Sequence, residues 1–361
     1  MKDNNFKYLT PIVIIYLVIF TACLISDYLI PKSFLSIPLL ISTLSTIIII
    51  RLGIPKLKSL NINQIIRIEG PKKHIKKSGT PTMGGILMIP TGVIIGSVMS
   101  IHSDDYNKIV ALLFITISFM IIGAEDDWKS LTKKTNKGLS VKSKLFLQTC
   151  VSLIFLYWSG LEGWINSNIP LPMGMSIEMG IWIWPLAMFI ILAESNATNL
   201  TDGLDGLASG CAALIFTGMS LQLILRESNS DHLIAVFSIA MAGAWLGFLI
   251  YNKYPAKIFM GDTGSLAMGA SLSGIALLSN NLWPLLIMGG VFLAESLSVI
   301  IQVCVFKITK SILGKGKRIF KMAPLHHHFE LMGFHELNIV KSFWTITASL
   351  IIIAIFMVPT N

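Results

Sequence analysis

The stretch Asn196-Ala-Thr-Asn-Leu-Thr-Asp-Gly-Leu-Asp-Gly-Leu-Ala208 sets Asn199, Asp202 and Asp205 between two strongly apolar runs, 179–198 and 207–225. At about 1.5 Å per helical residue, each run is long enough to cross a hydrocarbon core of roughly 30 Å. Carboxylates at the edge of such a run need a reason. Helix capping explains one of them, because an Asp ahead of a helix accepts a backbone N–H and suits the positive end of the macrodipole. It does not explain polar side chains at every third position, a spacing that would put all three on one side of a helical turn. A metal- or substrate-binding cluster accounts for the whole set.

Outward from this stretch the chain is equally apolar. It is 53% hydrophobic and only 13% charged over 361 residues, with a mean hydropathy of +0.73, which excludes an ordinary soluble domain. The expected fold is an all-α polytopic membrane protein, one transmembrane catalytic domain over 1–361. Cys23, Cys150, Cys211 and Cys304 all lie inside apolar runs with no C-x-x-C spacing, so neither a disulfide framework nor a thiolate metal site is indicated. The net charge of +9 sits in loops between apolar runs, a pattern that membrane topology explains without nucleic acid.

Spans are expected at 11–30, 35–54, 81–101, 108–125, 145–161, 179–198, 207–225, 232–250, 263–279, 282–306 and 339–359, giving ten or eleven depending on whether 11–30 crosses or lies at the interface. The 11–30 run is too long for a signal-peptide core, and no small-residue cleavage site follows it. Alternate loops 55–80, 126–144, 199–206, 251–262 and 307–338 hold 21 of the 28 Lys and Arg residues. The positive-inside rule makes those loops cytoplasmic, with the N-terminus inside and the C-terminus outside. Every polar motif then falls on one face.

Three further clusters share that face. Glu125-Asp126-Asp127 ends the apolar run 108–125, where the macrodipole disfavours anions unless a cation compensates, and Lys129, Lys133, Lys134 and Lys137 follow. Either Mg²⁺ or a lysine can compensate, and local charge neutralisation is the lesser alternative. In 251–265, Asn252, Lys253, Lys257, Phe259 and Asp262 suit a nucleotide diphosphate and its metal, although Asp262 also suits a helix cap. The loop Ala323-Pro-Leu-His-His-His-Phe-Glu330 lacks zinc spacing, but its imidazoles can donate to phosphate or uracil. Gly79-Thr-Pro-Thr-Met-Gly-Gly85 reads mainly as a helix start with small residues for close packing. Neither a P-loop nor a G-x-G-x-x-G motif occurs, so phosphate must be held by metal and lysine. Glu295, mid-span near Gly289-Gly290, is the one ionisable residue that a transporter reading could use, and a buried hydrogen-bonded structural role is the default for it.

These motifs, in this order, resemble the cytoplasmic motifs of the polyprenyl-phosphate N-acetylhexosamine 1-phosphate transferase superfamily, and the Ala323–Glu330 loop resembles its muramoyl-pentapeptide branch rather than the N-acetylglucosamine 1-phosphate branch. The resemblance covers nearly the whole chain. It implies that undecaprenyl phosphate attacks the sugar-linked phosphate of UDP-N-acetylmuramoyl-pentapeptide, releasing UMP and forming lipid I, with Mg²⁺ as cofactor, in the bacterial plasma membrane. Carried over residue by residue, Asp262 resembles the metal ligand, with Asp126, Asp127 and Asp202 as further candidates. Asp126 and Asp127 would position or deprotonate the lipid phosphate. Asn199, Asp202, Asp205, Asn252, Phe259, Gln302, His326, His327, Lys133 and Thr80 would contact nucleotide or substrate. A homodimer is compatible with the resemblance. One departure stands out: the lysine expected three residues after the second acid is Ser130 here, and Lys129 sits one position earlier.

Overall fold

The computed structural model describes residues 2–30, 33–60, 62, 79–101, 105–133, 138–226 and 229–357. Arg67, Lys72, Lys73, Lys76, Lys77, Lys134 and Lys137, which the sequence places in the two basic loops, lie outside the described residues. The described chain forms helices α1 (Lys2–Leu29), α2 (Ser36–Ser59), α3 (Gly85–Met99), α4 (Tyr106–Thr132), α5 (Val141–Leu161), α6 (Ile183–Thr201), α7 (Leu207–Leu225), α8 (Asn229–Asn252), α9 (Gly261–Leu278), α10 (Leu282–Met288), α11 (Gly290–Leu313), α12 (Leu325–Leu331) and α13 (Glu336–Met357). Among them, nine segments are long and apolar enough to cross a membrane, and the chain is a helical multi-pass membrane protein.

The centre of the bundle is α7, α8 and α9, which are apolar or small-residued on every side and almost wholly buried. A helix without a polar face has no stable place at a water-exposed surface. Small residues let neighbours come close: Trp344 of α13 packs onto α7 where any side chain at Gly210 would overlap its indole. The same holds where α4 crosses the start of α9, because a side chain at Gly123 would run into the Asp262 backbone. That close approach brings Asp127, one turn further along α4, to the first residues of α9.

Two expectations need correction. Helix α4 continues through the acids to Thr132, so Asp126 and Asp127 lie within it and the dipole argument for charges at its end does not apply. The expected span 282–306 is two helices, α10 and α11, divided at Gly289. The expected span 263–279 corresponds to α9, which is too rich in Gly and Ser to rank with the nine by hydropathy. A short antiparallel hairpin, β1 (Asn168–Pro170) with β2 (Ser176–Glu178), interrupts the all-α pattern on the face opposite the motifs. It is held against the α9–α10 connection by Asn280 Nδ2 donating to the Asn168 carbonyl at 3.1 Å.

Candidate active site

The opening stretch is the hub of one face, but its polar residues do not share a side as their spacing suggested. Helix α6 ends at Thr201, Asp202 occupies its C-cap, and the chain turns through Gly206 at φ 81° before α7 begins. The positive φ explains Gly at that position. The turn sends each residue to a different neighbour. Asn199 faces α9, Gly203 packs on His326, Asp205 Oδ2 accepts the Ala256 N–H at 2.9 Å, and the Gly206 carbonyl accepts the Trp344 indole N–H at 3.1 Å.

Asp262 lies in the first turn of α9 and is not its N-cap, which is Met260. The cap expected of Asp262 is supplied from another helix. Asp127 Oδ1 accepts the Asp262 N–H at 3.1 Å, and its Oδ2 accepts the Thr263 N–H at 3.0 Å and the Thr263 hydroxyl at 2.6 Å. Asp127 therefore satisfies orphan N–H groups at the start of α9 and places its charge at the positive end of that helix. Capping bonds of this kind are worth about 0.5–2 kcal/mol.

The Asp262 carboxylate itself takes no part in that cap and is bound from two other helices. Its Oδ1 accepts from Asn199 Nδ2 at 2.7 Å, and its Oδ2 pairs with the ammonium of Lys144. Lys144 Nζ is also 3.9 Å from Asp126 Oδ1, which accepts the Leu139 N–H at 3.1 Å. One ammonium thus bridges carboxylates from α4 and α9. Lys144 was not singled out in the sequence, although a signal exists: two lysines in the first turn of α5 oppose the macrodipole and call for a compensating anion.

The other carried-over residues are placed as follows. Thr80 is half-buried at the head of a segment that zips onto the 259–260 backbone, where the Phe259 N–H reaches the Pro81 carbonyl at 2.9 Å and the Gly84 N–H reaches the Phe259 carbonyl at 2.9 Å. The Gly79–Gly85 motif thereby supports the segment leading into Asp262. Asn252 is buried, and its amide is used internally: Oδ1 accepts the Gly206 N–H and the Ser209 hydroxyl, and Nδ2 donates to the Ile258 carbonyl. Gln302 clasps the α11–α12 loop through the Ile319 and Phe320 N–H groups and the Phe320 carbonyl. His327 is half-buried with Nδ1 2.8 Å from Glu330 Oε2, and Lys133 is exposed at the C-cap of α4. Lys253, half-buried beside the hub, is held below the usual lysine range by burial and then by the charge of Lys257.

Two intramembrane acids separate here. Glu295 is fully buried and bound to His326, as its default reading expects, whereas Glu194 of α6 is half-buried with its carboxylate facing the Gly289 break. Among the described residues no three His, Cys, Asp or Glu side chains form a ready metal cage. Mg²⁺ does not require one, since it keeps several waters and binds through one or two carboxylates plus substrate phosphates. Asp262 and Asp126, bridged by a lysine cation, fit that donor set.

A family model described as glycosyl transferase family 4 matches residues 109–280, which run from α4 to the end of α9 and contain the three acids. A phospho-N-acetylmuramoyl-pentapeptide-transferase of Prochlorococcus marinus (strain MIT 9313) is 59% identical over 95% of this chain and 92% of its own. Relatives of the same name from Synechococcus sp. (strain CC9311) and Synechococcus sp. (strain WH7803) are 56% and 54% identical, over 96% and 97% of this chain and 94% and 96% of theirs. The bundle and its carboxylate–lysine cluster define a multi-pass membrane transferase. More narrowly, the chain belongs to the phospho-N-acetylmuramoyl-pentapeptide-transferase family, within glycosyl transferase family 4.

Proposed function

We propose that this protein transfers phospho-N-acetylmuramoyl-pentapeptide from UDP-N-acetylmuramoyl-pentapeptide to undecaprenyl phosphate, giving lipid I and UMP at the cytoplasmic face, with Mg²⁺ as cofactor. The single observation that carries the chemistry is the lysine bridge between Asp126 and Asp262. It marks a point where two carboxylates from different helices share one cation.

Phosphoryl transfer asks little covalent chemistry of a protein and mostly requires in-line positioning and charge neutralisation. Asp262 and Asp126 would hold Mg²⁺, which when bound neutralises the diphosphate and stabilises the departing UMP. Asn199 fixes the orientation of the Asp262 carboxylate, and Lys144 is placed to shift its ammonium onto a substrate phosphate oxygen. Asp126, held by the Leu139 N–H and lying near Lys144, would position the attacking lipid phosphate, whereas both Asp127 oxygens are engaged by α9. Beside this cluster an open groove of about 400 Å³ is lined by Lys142, Phe146 and Leu147 and by Lys129, which pairs with Glu125 at 2.6 Å. Lys142 beside this apolar surface suits a phosphate joined to a hydrocarbon chain.

The test is incubation of purified protein with undecaprenyl phosphate, Mg²⁺ and each UDP-sugar in turn. UMP release with UDP-N-acetylmuramoyl-pentapeptide alone is expected. Release with UDP-N-acetylglucosamine instead would assign the chain to the sister activity, and solute uptake by proteoliposomes without UMP release would make it a transporter.

A further inference from the structure

Glu295 lies in α11 and His326 in α12, and both side chains are fully buried. The carboxylate holds the histidine at two points. Its Oε1 accepts the His326 backbone N–H at 3.2 Å, and its Oε2 lies 3.1 Å from Nδ1 of the ring. A carboxylate that accepts at both oxygens pairs with a ring that carries its proton on Nδ1 at this contact. The other ring nitrogen, Nε2, is buried with no hydrogen-bond partner among the described residues. It rests against Gly203, where any side chain would overlap it. Gly203 immediately follows Asp202, four residues from the Asn199 that orients Asp262. A buried ring nitrogen left without a partner is costly unless something supplies one.

We propose that Glu295 is a positioning residue for the transferase reaction, fixing His326 with Nδ1–H toward the carboxylate so that Nε2 is the ring atom that meets the substrate. The proposal rests on the lipid I activity proposed above and on the substrate contact that the family resemblance implies for His326. The carboxylate also anchors the start of α12, so ring and backbone are set together. Fixing a histidine tautomer through a buried carboxylate on the opposite nitrogen is how an orienting acid supports a working imidazole. Mutation of the acid is then felt only through the histidine.

Two measurements test it. In the wild-type protein labelled with ¹⁵N-histidine, the His326 resonances, assigned by difference from His326→Gln, should show Nδ1 protonated. A bare Nδ1 with Nε2–H overturns the proposal without needing any Glu295 variant to fold. In UMP-release assays, Glu295→Gln should lower kcat/KM by on the order of tenfold, the loss of one charge-assisted hydrogen bond. Added to His326→Ala, it should lower the rate no further. Additive losses would make Glu295 a structural residue only. His326→Ala at full activity would remove His326 from the substrate site, whereas an impaired His326→Ala beside a fully active Glu295→Gln would remove the positioning role alone.

Discussion

Thr263 donates both its backbone N–H, at 3.0 Å, and its hydroxyl, at 2.6 Å, to Asp127 Oδ2, so a residue of α4 closes the start of α9. This bond places the neighbouring Asp262. Replacing Asp127 with Asn puts an NH₂ group against donors in a half-buried position, and the expected cost is about 1–3 kcal/mol of stability together with most of the turnover. Raising Mg²⁺ should not restore activity, because the α9 terminus is misplaced rather than short of metal. Thr263→Val removes the hydroxyl and keeps the N–H, so its loss should be smaller. Thermal unfolding in detergent alongside UMP release decides the matter; an Asp127→Asn protein of wild-type stability would leave the cap without energetic weight.

With Mg²⁺ held as proposed, Lys144 and the metal would compete for the two carboxylates that the ammonium now bridges. In Lys144→Met the ammonium is gone, and Asp126 and Asp262 repel each other until another cation arrives. The Mg²⁺ concentration giving half-maximal activity should therefore fall, while maximal turnover drops because a phosphate contact is lost. A Mg²⁺ requirement that rises instead would show that Lys144 helps build the metal site rather than competing with it.

The acids Asp126, Asp127 and Asp262 were legible because carboxylates beside apolar runs are costly and conspicuous. Their division of labour was not, since the bonds from Asp127 to Asp262 and Thr263 join residues 135 and 136 positions apart. Period-three spacing misled at 199–205 because it presumed a continuing helix, whereas Gly206 turns the chain. The break at Gly289 was hidden by unbroken hydropathy on both sides, and Lys144 by the ordinariness of a lysine in a basic loop. Glu194 carries no such signal: it is a lone carboxylate seven residues inside the end of α6, with no motif spacing around it.

The distribution of Lys and Arg predicts which face is cytoplasmic, and the structure supplies an exposed position on each side. With Cys304, which is exposed, replaced by Ser, a cysteine at Lys317 should react with a membrane-impermeant thiol reagent only when the reagent reaches the cytoplasm. A cysteine at Ile181, 78% exposed beside the hairpin, should react from outside. The reverse labelling pattern would invert the orientation and place the carboxylate cluster on the outer face.

Asp262 offers the sharpest test of the chemistry. A diphosphate approaching Asp126 and Asp262 is repelled unless a divalent cation bridges them, and hard oxygen donors with few protein contacts favour Mg²⁺. Asp262→Asn keeps the size of the side chain and removes its charge. Since Asp127, not Asp262, caps α9, the substitution leaves the cap bonds intact, and thermal stability should change by less than about 1 kcal/mol. Turnover should nevertheless collapse, and the Mg²⁺ concentration needed for any residual activity should rise. Asp126→Asn should also lose turnover, but with a smaller shift in Mg²⁺ dependence if its chief partner is the lipid phosphate. The measurement is a Mg²⁺ titration of UMP release for wild type, Asp262→Asn, Asp126→Asn and Asp127→Asn. Near-normal turnover and an unchanged titration in Asp262→Asn would move the metal away from α9 and leave Asp262 as a partner for Lys144 and Asn199 only.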